Sequence, residues 1–189
     1  MVGILSLWLP ILLGAVGVFI ASSVVHMILP HHRKDFQVLP DEDGVMEALR
    51  RFDLPPGDYL TPCSHAGMDS MKDPAFKAKA EAGPLLVMTV LPKGSFTAGM
   101  GPTMAAWFGF CLLVSFFTAY AAELALPRGA HYMDVFRFVA TVSFGFYALG
   151  ALPRSIWYRA SWATTLKSSA DAFLYGCVTA GFFGWLWPA

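Results

Sequence analysis

Residues 4–29 read Ile4-Leu-Ser-Leu-Trp8-Leu-Pro-Ile-Leu-Leu13-Gly-Ala-Val-Gly-Val18-Phe-Ile-Ala-Ser-Ser23-Val-Val-His26-Met-Ile-Leu29 and hold no Asp, Glu, Lys or Arg. A helix rises about 1.5 Å per residue and the hydrocarbon core of a bilayer is about 30 Å thick, so about 20 such residues cross it. Three further runs share this character. Pro102–Leu126 carries only Glu123 near its end, Met133–Leu152 has Asp134 and Arg137 in its first turns, and Ser168–Trp187 has Asp171 in its first turn. The chain is therefore read as an all-α membrane protein of four transmembrane helices. Residues 1–29 form the first, 30–101 a polar extramembrane insertion, and 102–189 helices two to four.

The composition agrees. Of 189 residues, 56% are hydrophobic and 14% charged, where soluble domains run near about 25% charged. The charges are concentrated: 30–101 hold 10 of the 13 acidic and 8 of the 13 basic side chains. Net charge is zero, so no global field selects nucleic acid as a partner.

Lys and Arg set the expected orientation, because short cytoplasmic loops retain them. Arg33, Lys34, Lys93, Arg154, Arg159 and Lys167 lie on one side, and Arg128 is the loop cation of the other. The insertion 30–101 and the loop 153–167 are then cytoplasmic, with both termini outside, in a bacterial inner membrane. Tryptophan favours the interfaces. Trp8, Trp185 and Trp187 fall near the outer ends, and Trp107, Trp157 and Trp162 near the inner ones. Ala21-Ser22-Ser23 resembles a signal cleavage site, but no basic segment precedes the apolar run and the basic residues follow it, which suits an anchor with its N-terminus outside. Three scattered cysteines form no Cys-x-x-Cys pair, and the absence of Asn excludes a glycosylation sequon.

Within the insertion, Asp41-Glu42-Asp43 starts a short amphipathic helix over 43–53 that Pro55-Pro56-Gly57 stops, and a second runs from Asp73-Pro74 to Ala82. Leu85–Leu91 is apolar and too short to span as a helix, so it is either a buried strand or an interfacial segment leading to Gly99-x-Gly101.

The densest ligand-bearing stretch is Cys63-Ser-His65-Ala-Gly-Met68-Asp-Ser-Met71, which places a thiol, an imidazole and two thioethers within nine residues. Such donors suit copper(I) or zinc, with His31 and His32 as further ligands. Against this, Met68 and Met71 serve equally as apolar filler, and the spacing matches no strict zinc motif. His26 shares a helix face with Ser22 and Ser23, and the plain expectation is an interfacial histidine bonded to serine. A haem held by His26 and His131 is disfavoured, since these fall at opposite membrane faces. Arg137 is expected to pair with Asp134 or Glu123, and Asp171 with Lys167. Ala172, Gly176, Ala180 and Gly184, with Gly17 and Ala21, give small-residue faces for close helix packing within the chain or in a homo-oligomer. The mixture of aromatics and cations in Arg154–Trp162 suits an inner-leaflet anchor on anionic headgroups, and docking a soluble partner would use the same residues.

No Walker loop, Gly-x-Ser-x-Gly elbow, His-Glu-x-x-His or dinucleotide fingerprint is present. The leading expectation is a non-enzymatic accessory or assembly subunit of a larger membrane complex. A metal-handling protein built on the Cys63 loop is the alternative. The third reading is an interfacial enzyme acting on lipid or quinone, with His26 or Asp58 as acid or base.

Overall fold

The computed structural model describes residues 2–94 and 99–189. The described chain is mostly helical and divides into two compact units, Met1–Gln37 with Met100–Ala189, and Val38–Gly99.

The first unit is a helical bundle. Helix α1 (Trp8–Ser23) is preceded by a 3₁₀ turn and continues into a π-helical turn, Val24–Ile28. The residue before a proline disfavours helical geometry, and Leu29, before Pro30, is extended at φ −75° and ψ 142°. Pro30 then opens a 3₁₀ turn through His32, where a missing N–H costs nothing.

The other helices of this unit are Met100–Ala125, Tyr132–Ala148, Leu152–Tyr158 and Trp162–Trp185. With the helices α2 and α3 of the second unit described below, they are α4 to α7 in chain order. The segments Ile4–Ile28, Met100–Ala125 and Tyr132–Tyr158 are long and apolar enough to cross a membrane. These are three segments where four were expected. The fourth helix, α7, is long enough at 24 residues, but Thr164, Thr165, Lys167, Ser168, Ser169 and Asp171 make its first half polar. The expected loop 153–167 is largely helical too, since α6 and the start of α7 leave only Arg159–Ser161 between them. Arg159 makes that break in the left-handed region at φ 53°.

Helix α7 packs most extensively on α5 and also on α1. The small residues explain the approach. A Cβ added at Gly176 would lie 2.9 Å from the Ala140 carbonyl oxygen, and one at Gly17 2.6 Å from the Phe182 ring. These faces therefore pack within the chain. Two buried clusters result: Leu7, Ala119, Val135, Val139, Ala180 and Phe183 at one level, and Ala15, Val18, Cys111 and Tyr175 at another.

The second unit carries α2 (Glu42–Arg50) and α3 (Pro74–Ala82), capped by Asp41 and Asp73 side chains that accept from Gly44 and Ala75 N–H groups. Leu85–Leu91 supplies a strand, β2 (Leu86–Val90), antiparallel to β1 (Gly57–Thr61), with Asp58 opposite Thr89. The all-α reading thus holds for the helical unit, and the insertion adds a two-stranded ribbon. The approach to Gly99 includes residues 95–98, which lie outside the described residues.

Candidate metal centre

The π turn carries His26, the 3₁₀ turn that follows carries His31 and His32, Asp35 lies one turn on, and α7 brings Lys167 and Asp171. All six belong to the helical unit. His32 is the hub. Its Nδ1 donates to Asp35 Oδ2 at 2.5 Å, and its Nε2 lies 2.7 Å from Asp171 Oδ2. His31 Nε2 donates to the other Asp171 oxygen at 3.3 Å. Lys167 Nζ donates to Asp35 Oδ1 at 2.7 Å and to the His31 carbonyl at 2.8 Å. The His26 ring stacks on His32 at 4.4 Å between centroids. Side-chain exposure is 12% for His32, 8% for Asp35 and 9% for Asp171, so the centre of the network is covered, whereas His31 and Lys167 are more than a third exposed and His26 is exposed.

A neutral imidazole has one N–H to give. His32 faces a carboxylate oxygen from each ring nitrogen, an arrangement that the imidazolium form satisfies, as would a cation shared between Nε2 and Asp171. In the imidazolium form the charges balance, two carboxylates against His32 and Lys167. Burial works against protonation of His32, but the hydrogen bonds to Asp35 and Asp171 outweigh it and raise its pKa above the ordinary imidazole value. The bonds from His32 and from Lys167 hold the Asp35 carboxyl below the ordinary carboxylate value.

With a cation in place of the Nε2 proton the same geometry could hold a metal ion. One ligand atom each from His26, His32 and Asp171 lies within 4.8 Å of the others. Two imidazoles and a carboxylate form a donor set for zinc or ferrous iron that leaves coordination positions open. The contact from His32 Nδ1 to Asp35, itself held by Lys167, supplies the outer carboxylate that fixes a ligating histidine's tautomer.

Several expected pairings are replaced. Lys167 meets Asp35 rather than Asp171, whose partners are His31 and His32. Ser22 and Ser23 donate to the Phe19 carbonyl and Ser22 accepts from Trp107 Nε1, so His26 has histidine rather than serine for a neighbour. Among the described residues Arg137 pairs with neither Asp134 nor Glu123. His131 caps α5, accepting from Met133 N–H.

Of the expected metal ligands, His31 and His32 thus join the helical network. Cys63, His65, Met68 and Met71 lie in the 38–99 unit, where all four are exposed and Cys63 is a free thiol. Asp58 lies there as well, accepting from Thr89 Oγ1 across the ribbon at 2.6 Å. His26 and Asp171 are the candidate ligands that the sequence did not place in the metal set. The available signal was topological, because the end of the first helix and the start of the fourth were expected at the same membrane face.

No protein-family model, no curated protein and no solved structure matches this chain.

Proposed function

We propose that this is a metal-handling integral membrane protein that holds one divalent transition ion, zinc foremost, on His26, His32 and Asp171. The observation that carries the reading is the convergence of these three donors from the end of α1, the turn after it and α7. Imidazole and carboxylate donors favour zinc over copper(I), which prefers sulfur. The His31 side chain is 36% exposed and bonds to the same Asp171 carboxylate. It stands ready as a fourth ligand that can yield to an acceptor. Among the described residues no acidic chain continues through the bundle, so the site suits holding and passing on an ion at one membrane face rather than carrying it across.

In this reading α7 is a fourth span, with the polar side chains of its first half bonded to Ser155 and to the turn that follows α1. The Lys and Arg distribution supports a cytoplasmic position for residues 30–101 and for the metal site, with both termini outside, in a bacterial inner membrane. The test is metal content by mass spectrometry and zinc titration on protein purified in mild detergent. Wild type should hold one ion per chain. His26→Ala should lose it while keeping its fold, because His26 belongs to none of the ion pairs. Equal zinc affinity in wild type and His26→Ala overturns the reading.

A second reading, an accessory subunit of a larger complex, is favoured by one observation. The 38–99 unit leaves Phe52, Leu60, Leu85, Val87 and Leu91 each more than half exposed, with Leu60 opposite Val87 across the ribbon, and exposed apolar surface can mark an interaction site. Native mass spectrometry of gently solubilised membranes should then show a heavier assembly with foreign subunits. A bare chain would dismiss it.

A further inference from the structure

Beside the histidine network the helical unit keeps a cavity of about 190 Å³, lined among others by His26, Trp107, Phe110, Tyr147, Asp171 and Tyr175. Its walls are aromatic faces and edges. Tyr147 and Tyr175 meet at 5.6 Å and 77°, Trp107 and Phe110 at 5.5 Å, and Trp107 and Tyr175 at 6.5 Å. Tyr175 is only 4% exposed, yet its hydroxyl has no hydrogen-bond partner. Buried hydroxyls are almost always bonded, so an orphan on a cavity wall points to something that enters the cavity. A second cavity of about 280 Å³ shares His26 and Trp107 with the first and is otherwise lined by Ser22, Ser23, Met27, Thr103 and Met104.

The chemistry of the lining narrows the occupant. Tyrosine hydroxyls donate readily, and an orphan donor in an apolar site calls for an acceptor oxygen. Asp171 bonds to His31 and His32, and its carboxylate disfavours an anion in the cavity beside it. A cavity near 150 Å³ accommodates a benzene ring, so this one takes a substituted ring of similar size. We propose that it binds the head ring of a membrane-soluble quinone. Tyr175 donates to a ring carbonyl, the aromatic walls hold the ring, and the tail leaves through the cavity beside Met27 and Met104.

The test titrates decylubiquinone into the full chain in phosphatidylcholine nanodiscs, treated with EDTA so that the outcome is independent of the metal reading. Trp fluorescence is followed, with empty nanodiscs carrying free indole as the control for partitioning. Wild type should show saturable quenching. Tyr175→Phe, which keeps the ring and removes only the unpartnered hydroxyl, should raise the half-saturation concentration about tenfold, the effect of one lost hydrogen bond to a carbonyl. Its thermal midpoint should be unchanged or higher, whereas a structural role for the hydroxyl would lower it. Quenching that rises linearly with quinone overturns the proposal, and so does a half-saturation point identical in the two proteins.

Discussion

Both units of this chain contain ion pairs, but the pairs stand in opposite surroundings. In the 38–99 unit, Lys72–Asp69 and Arg50–Glu47 are three residues apart on their own turns, with side chains 81% and 78% exposed in the first pair and 59% and 56% in the second. In the helical unit, His32, Asp35, Asp171 and Lys167 join segments more than 130 positions apart, and both carboxylates are more than nine-tenths covered. Exposed pairs lose their attraction to water and salt, and contribute about 0–1 kcal/mol. Breaking a covered pair leaves the surviving charge without solvent or partner, at a cost of about 3–5 kcal/mol. Charge that decorates one unit therefore holds the other together.

A matched pair of deletions should separate the two units most widely. Asp171→Ala removes the acceptor for both His31 and His32 and should destabilise the helical unit by about 3–5 kcal/mol. Asp69→Ala should change stability by no more than about 0.5 kcal/mol. Chemical unfolding in mild detergent, followed by circular dichroism, measures both. Equal effects would mean that the network is as solvated as the surface pairs.

Helix α7 offers a smaller contrast within one element. Gly176 lies against the α5 backbone, where an added Cβ would meet the Ala140 oxygen at 2.9 Å, whereas Gly181 has nothing within 4 Å. Gly176→Ala should cost about 1–3 kcal/mol by forcing α5 and α7 apart. Gly181→Ala should be neutral or slightly stabilising, since alanine is the better helix former. The same unfolding measurement separates them, and a costly Gly181→Ala would mean that this face is packed against something further.

What the sequence disclosed and what it withheld divide along the same line. Apolar length is a local property, so Ile4–Leu29, Pro102–Leu126 and Met133–Leu152 were legible as spans, and caps such as Asp41 and Asp73 were legible as helix starts. Leu86–Val90 left its state open because a strand is defined by its partner, and Gly57–Thr61 is nearly 30 residues away with no strong strand signal of its own. Lys167 and Asp171 were matched to each other because i,i+4 spacing is visible in a sequence. Their real partners at His31, His32 and Asp35 become neighbours only once α1 and α7 pack. His26 was on the page from the start, but nothing local marked it as sharing a ligand set with an aspartate 145 positions later.

The smallest expected effect discriminates most finely between the two units as metal sites. The Cys63 loop has the denser ligand composition, yet Cys63, His65, Met68 and Met71 are all exposed, and among the described residues its donors do not gather into a cluster that could hold an ion. The helical site has fewer kinds of donor, but its three are held by a π turn, a proline-started turn and a long helix, and one has its tautomer fixed by Asp35. Pre-positioned ligands bind without the ordering cost that a loop must meet. Cys63→Ala combined with His65→Ala should therefore leave both stability and stoichiometric zinc unchanged, where His26→Ala removes the ion. The loop's soft donors keep one opening, which the same experiment probes by titrating copper(I). Copper retained by wild type and lost by the Cys63, His65 double variant would place a second, softer site in the 38–99 unit, and the two units would then differ in the metal they select rather than in whether they bind one.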